Sequence, residues 1–426
     1  MKVSSGDRNV AEEWERRRWL KFKNNLGKVC KSNTFQRNHF PNLNLFDNWN
    51  GFTDFLSNCP FTTKNDLASD RNQNPPYGTN LTYPLLEYKK FNQTSGTKGI
   101  PMTWLDTMED WDWLLGNWNR VLDAAQVDPG DRCFFAFSFG PFLGFWTAYE
   151  SATQRGCVCI PAGGQSTEQR LHEILNHQAQ HLFCTPTYAL RLTNYAADTG
   201  IDLAGHGLKT VIVAGEIGGS LPAVRERVSS GWGNNIQVHD HYGMTEVGPV
   251  AYETPGGQGG LRLILDSYFP EVIDPQTFQP VNDEEEGELV LTTLGRAGCP
   301  VFRYRTGDLV RAISGFDETG LPTFDLMGGI LGRTDDMVVV RGVNLYPSAV
   351  DAIVARFPEI KEYQVEIESR NSMLEVKIKV ECKQEIQTLL EVALQESFSL
   401  RIPVISVEAG TLPRFEMKAK RWLRIN

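Results

Sequence analysis

The chain holds 426 residues, more than a single hydrophobic core comfortably organises, so two domains are expected. Hydrophobic residues make up 41% and charged residues 22%, which is ordinary globular composition, and 52 acidic against 42 basic side chains leave a formal charge of −10. A surface of that sign repels a phosphate backbone, which argues against general nucleic-acid binding and leaves room for a local nucleotide site.

The amino-terminal stretch MKVSSGDRNVAEEWERRRWLKFKNN is charged and lacks the apolar core of a signal peptide, and no window offers eighteen apolar residues. A cytoplasmic protein without membrane association is therefore expected. From Met108 the pattern becomes helical: MEDWDWLLGNWNRVLDAAQ sets Trp111, Leu114, Leu115, Trp118, Val121 and Leu122 on one stripe. The apolar runs CFFAFS (133–138), CVCI (157–160), HLFC (181–184), TVIVA (210–214) and NIQV (235–238) read as short buried strands. Helical stretches at 166–178 and 186–198 separate them, the signature of a parallel α/β sheet. In such sheets ligands bind beyond the carboxyl ends of the strands.

Eight cysteines are scattered without a disulfide framework or a zinc pattern, and Cys157 and Cys159 read as alternating strand residues. His172, His177 and His181 lack the H-E-x-x-H arrangement and read as surface or packing residues. After residue 260 the strands lengthen, as in GELVLTTL (287–294) and PVFRYRTGDLVRAI (300–313), and the acidic run Asp283 to Glu286 reads as a solvated turn. From about Gly332 a β-α-β-β-α series follows that is long enough for a small domain of its own. The expected division is 1–331 and 332–426.

Several segments could carry chemistry. Gln93-Thr94-Ser95-Gly96-Thr97-Lys98-Gly99-Ile100-Pro101 packs hydroxyls, glycines and a lysine into a stretch suited to wrapping a polyphosphate, although it is no Walker A loop and, taken alone, reads as a solvated turn. In His241-Tyr242-Gly243-Met244-Thr245-Glu246 a ring can stack on a base, a hydroxyl can meet a phosphate oxygen and a carboxylate can hold Mg²⁺. The same pattern also suits a plain strand-to-loop corner with a buried tyrosine. Asp308, in Tyr304-Arg305-Thr306-Gly307-Asp308, can accept both hydroxyls of a ribose, or merely cap a turn. Gly332-Arg333-Thr334-Asp335-Asp336 lies where the texture changes and suits a hinge with Asp335 as pivot. The basic tail Leu412 to Arg421 suits a plain solvated end, but it carries Lys418, which a mobile domain could bring to a reacting phosphate.

Read in order, TSGTKGIP, YGMTE, YRTGD, GRTDD…RG and PRFEMKAKR resemble the signature set of adenylate-forming enzymes. CPFTTKNDL (59–67), CTPTYALRL (184–192), HYGMTEVGPVAYE (241–253) and RGVNLYPS (341–348) narrow the resemblance to phenylacetate–coenzyme A ligases. It runs from about residue 55 to the end. It implies an α/β fold in which a large amino-terminal domain with mixed and parallel sheets carries a small α+β carboxyl-terminal lid that turns between half-reactions. It also implies roles. Thr94, Ser95, Gly96, Thr97 and Gly99 would line the phosphate loop; Glu216 and Asp240 would lie at the adenine site with Tyr242 stacked on the base, and Gly243 would be among the cofactor-binding residues. Thr245 would contact the α-phosphate, Glu246 Mg²⁺, Asp308 the ribose and Arg333 the nucleotide. Lys418 would serve adenylation, Asp335 the hinge and Gly342 the thiol channel. ATP, Mg²⁺ and coenzyme A are the implied cofactors and co-substrates. The implied partners are a small carboxylic acid and coenzyme A or a carrier protein, in what could be a homodimer.

The chain departs from the family pattern at Lys98, Met102 and Met417, where a hydroxyl residue, a basic residue and a glycine are common. Residues 254–332 contain Cys299 and no histidine, too few ligands for the zinc cluster some relatives carry there, so no structural zinc is expected. Phe139, Gly140 and Phe142, in the aromatic run after the first parallel strand, are candidates for an acyl pocket; a buried strand–helix junction explains them equally well. Two competing functions stay open: adenylation followed by transfer to a carrier protein or an amine, and a nucleotide-binding regulator without catalysis.

Overall fold

The computed structural model describes residues 5–94, 101–233, 236–254, 256, 259–341, 343–370, 373–415 and 419–425. Helix α1 (Ser5–Ser32) is followed by α2 (Thr34–His39), α3 (Phe52–Asn58) and α4 (Lys64–Gln73). Trp19, Phe22, Leu26 and Val29 recur at helical spacing on α1 and are buried against Phe40, Phe52, Phe55 and Phe302. At the head of α4, Thr63 and Asp66 form a reciprocal capping box. Strands β1 (Tyr88–Gln93) and β2 (Thr103–Thr107) pair antiparallel. Their mouth is closed where the Thr94 N–H donates to the Met102 carbonyl and the Met102 N–H to Thr94 Oγ1, both at 2.9 Å.

Helix α5 (Met108–Ala124) buries the whole stripe from Trp111 to Leu122 that its periodicity predicted. Then β3 (Arg132–Phe135), α6 (Leu143–Arg155), β4 (Val158–Pro161), α7 (Thr167–Asn176), β5 (His181–Cys184), α8 (Pro186–Thr199), β6 (Thr210–Ala214), α9 (Pro222–Trp232) and β7 (Gln237–Met244) alternate. Neighbouring strands here run parallel, in the order β4-β3-β5-β6-β7. The sheet continues antiparallel through β8 (Gly248–Glu253), β9 (Leu261–Leu263), β10 (Tyr268–Ile273), β11 (Glu286–Thr293), β12 (Tyr304–Phe316) and β13 (Pro322–Leu326). The path from β7 reads β8-β9-β13-β12-β11-β10.

Two runs differ from the sequence expectation. CVCI does not form a buried strand: β4 is the last strand in the order, so Val158 is 55% exposed. NIQV does not end a strand before the tyrosine motif, since β8 pairs back along β7 and carries it through His241, Tyr242, Gly243 and Met244.

Strand β14 (Gly332–Arg333) pairs with β12. Beyond it lie β15 (Val338–Val340), β16 (Val343–Leu345), α10 (Pro347–Val354), β17 (Tyr363–Arg370), β18 (Met373–Glu381), α11 (Gln384–Phe398), β19 (Val404–Val407) and β20 (Trp422–Ile425). These build a sheet in the order β19-β18-β17-β20 over a core of its own, with Val365, Ile378, Val380, Leu390 and Leu394 at its centre. A mixed α/β body with a small α+β unit is the architecture that the sequence led us to expect. Among the described residues no helix is long and apolar enough to cross a membrane.

Candidate active site

The carboxyl ends of β3, β5, β6 and β7 open on one edge of the parallel sheet, where ligands of such folds bind. At the end of β6 comes Glu216, half-buried, whose Oε2 accepts the Thr187 N–H from the first turn of α8 at 3.2 Å. Its Oε1 accepts the N–H of Ala419, from the carboxyl-terminal tail, at 2.7 Å. Asp240, on β7, is buried and turned inward. Its carboxylate accepts the Ser220 hydroxyl and the His241 N–H, and burial pushes its pKa up to about 6. Asp240 thereby braces the loop after β6.

The register of β7 and β8 shifts between Tyr242 and Gly243. A side chain at 243 has no room, because a Cβ would lie 2.7 Å from the Gly248 carbonyl oxygen. From this bulge the chain turns and delivers Thr245 and Glu246. The Tyr242 hydroxyl donates to Asp308 Oδ2 at 2.6 Å, and Arg333 Nη1 donates to Asp308 Oδ1 at 2.6 Å. Burial, then the Asp308 carboxylate, hold the tyrosine far above its usual pKa. Burial alone would lower the pKa of Arg333, but Asp308 and Asp335 outweigh it and raise it. Gly307 sits at φ +76, and a Cβ there would press the Arg333 guanidinium at 3.0 Å. Arg333 Nε donates to Asp335 at 3.0 Å, so three of the sequence-predicted residues meet Arg333 directly or through Asp308.

Glu246 is nearly buried, with Lys64 Nζ 3.4 Å from its Oε1. Arg296, fully buried, donates from Nη1 to the carbonyls of Thr245 and Glu246 at 2.9 and 3.0 Å. Its other nitrogens grip Asp106 on β2. Among the described residues no three His, Cys, Asp or Glu side chains gather into a metal cage. Mg²⁺ is commonly held by one or two carboxylates together with substrate phosphates, and a nearly buried carboxylate that already faces a cation suits that role.

The aromatic run after β3 packs at the start of α6. Phe139 meets Trp146 and Tyr149 edge-on, and Phe142 meets Phe145. Both rings stay half-buried, and so does Gly140. The Pro141 carbonyl accepts the Gln93 N–H at 2.6 Å, which sets this run against the end of β1. Ser95, Gly96, Thr97, Gly99, Gly342 and Lys418 lie outside the described residues.

Sequence reasoning missed Lys64 and Arg296. Lys64 stood inside the recognised CPFTTKNDL stretch, which was the available signal; Arg296, one arginine at a strand end, offered none.

Residues 93–297 match the AMP-binding enzyme family and residues 342–423 the AMP-binding enzyme C-terminal domain. The phenylacetate-coenzyme A ligase of Escherichia coli (strain K12) is 32% identical over 385 residues, 86% of this chain and 84% of that one. A solved 2-hydroxyisobutyryl-CoA ligase in the postadenylation state, in complex with R3-HIB-AMP, shares 24% identity. It covers 97% of this chain and 90% of its own, with a TM-score of 0.89. The same ligase with 2-HIB-AMP and CoA in the thioesterification state has the same coverage and identity but a TM-score of 0.72. With that identity across most of both chains, this protein belongs to the phenylacetate–coenzyme A ligase family of AMP-binding enzymes, the AMP-forming acid–CoA ligases.

Proposed function

We propose that this chain activates an aryl or arylacetic acid with ATP, releasing pyrophosphate, and passes the acyl group from the adenylate to the thiol of coenzyme A. One convergence carries the reading: Tyr242, Asp308 and Arg333 meet at one end of a cleft edge, and the carboxyl-terminal tail lies at Glu216 on the same edge. The phosphate segment between Thr94 and Met102 would cradle the polyphosphate, with its hydroxyls and backbone N–H groups as donors. Tyr242 would present its ring to the base and Asp308 its carboxylate to the ribose. Glu216 and Asp240 would shape the adenine wall, and Thr245 would donate to the α-phosphate. Bound Mg²⁺, held by Glu246, would neutralise phosphate charge.

A carboxylate attacking an α-phosphorus approaches a polyanion, so an ammonium between the two groups lowers the barrier; Lys418 is assigned that place. Residues 332–426 would then turn about Asp335, bring Gly342 to the thiol entrance, and leave Phe139, Gly140 and Phe142 around the acyl group. The higher likeness to a postadenylation state than to a thioesterification state supports the first of these two poses for the arrangement described above.

The test is acid-dependent ATP–pyrophosphate exchange across a panel of aryl and arylacetic acids, scored with and without coenzyme A. Exchange followed by thioester release is the expected result. Exchange with no preference for coenzyme A would favour a carrier-protein or amine acceptor, and nucleotide binding without exchange would favour a non-catalytic regulator. In the Lys418→Ala variant adenylation should fall at least ~10²-fold, with thioester formation from supplied acyl-adenylate much less affected. Equal loss of both half-reactions overturns the role given to this lysine.

A further inference from the structure

The described residues on either side of Lys418 are anchored on the small domain. Before it, Arg414 Nη1 donates to Glu381 Oε1 at 3.0 Å and the Leu412 N–H donates to the same oxygen at 2.8 Å. After it, Arg421 Nε donates to Glu362 at 2.6 Å, its guanidinium lies 4.9 Å over the Tyr363 ring, and β20 begins at Trp422 beside β17. Ala419, the residue after Lys418, donates its backbone N–H across the domain boundary to Glu216 at 2.7 Å.

Glu216 is well placed to receive it. One carboxylate oxygen faces the first turn of α8, which begins with the Thr185 cap and Pro186 and leaves the Thr187 N–H as a donor. The partial positive charge of a helix amino terminus favours a carboxylate there. With Oε2 so held by the large domain, Oε1 is aimed outward at a fixed point, and the bond it accepts is charge-assisted. The contact is to backbone, so it specifies where the tail lies without asking for any side chain at 419.

We propose that Glu216 is a positioning residue of the adenylation pose alone. Its carboxylate pins the tail at Ala419, the residue next in sequence to Lys418, and the bond is broken when the lid turns for thioester formation. The inference rests on the two-step reading above and gives Glu216 a task apart from recognition of the base.

Amide hydrogen exchange tests the contact without any turnover. In the Glu216→Ala variant the Ala419 amide should lose at least about tenfold in protection, and Glu216→Gln, which keeps an acceptor oxygen, should retain part of it. Unchanged protection in Glu216→Ala overturns the proposal, whatever the enzyme catalyses. In kinetics, Glu216→Ala should lower kcat for ATP–pyrophosphate exchange about tenfold or more, beyond any rise in KM for ATP that its place at the adenine wall brings, with the maximal rate of thioester formation from saturating acyl-adenylate within about twofold. A raised KM for ATP with kcat preserved would make Glu216 a base-binding residue and overturn the latch. Absence of exchange in the parent protein with every acid would count against the ligase reading and leave the amide measurement to decide the latch.

Discussion

Arg296 and Asp106 meet as a two-pronged ion pair, Nε on Oδ1 at 2.7 Å and Nη2 on Oδ2 at 2.9 Å, with both side chains fully buried. Because the third nitrogen of the same guanidinium holds the Thr245 and Glu246 carbonyls, one side chain ties β2 to the turn that bears the two motif residues. Loss of one partner from a buried pair leaves an uncompensated charge. Arg296→Met should therefore cost about 3–5 kcal/mol in chemical denaturation. Arg296→Lys keeps the charge without the planar fork, and should fold while losing roughly 10–100-fold in exchange kcat. Wild-type exchange in Arg296→Lys would show that the turn holds its shape unaided.

Lys64 occupies the first position of α4, where a cation opposes the helix dipole, yet it faces Glu246. A residue placed against local stability and beside the carboxylate proposed to hold Mg²⁺ is expected to act on ligand. Lys64→Ala should raise the melting temperature slightly while weakening Mg²⁺–ATP binding about tenfold by calorimetry. Unaltered binding would reduce the lysine to a surface ion pair.

Removing the Tyr242 hydroxyl takes one donor from Asp308 and leaves the ring in place. Tyr242→Phe should raise KM for ATP about fivefold, the worth of about 1 kcal/mol, with little change in kcat. Asp308→Asn also deprives Arg333 of one of its two carboxylate partners and should cost at least about tenfold. Equal effects of the two changes would argue that the tyrosine, and not the carboxylate, recognises the nucleotide.

Asp240 and His241, adjacent on β7, respond to acid in opposite senses. Burial raises Asp240 to about 6, so the folded chain holds its proton more tightly than the unfolded chain, and its contribution to stability is lost as pH rises through about 6. Burial lowers His241 to about 4, so its contribution is complete above 6.5 and is lost as pH falls toward 4. His239, also lowered to about 4 by burial, acts in the same sense as His241. Asp240→Asn should steepen the loss of melting temperature on acidification from pH 6.5 to 4, and His241→Gln should flatten it. Parallel profiles for both variants and the parent would refute the assignment.

The sequence revealed most where local pattern and tertiary pairing agree. The α5 stripe and the HLFC and TVIVA strands emerge as read, because each buries the face that its periodicity marks. The length of β7 was hidden, since it depends on β8, a partner supplied from further along the chain. Tyr242, Asp308 and Arg333 were each nameable as candidates, but a spacing of 66 residues says nothing about the hydrogen bond that joins the first two. Arg296 could not be found at all: its meaning lies in a partner 190 residues away.

Strand β14 spans Gly332 and Arg333, and its rungs fall on Leu309 and Asp308 of β12. If Asp335 is the pivot, the axle of the lid is bolted to the very rung proposed to meet the sugar. A nucleotide entering the cleft then tugs on the same short ladder from which the lid departs, and news of occupancy has only a residue or two to travel. Such an arrangement lets cargo arrival bias the swing directly, with no relay through the body of the protein.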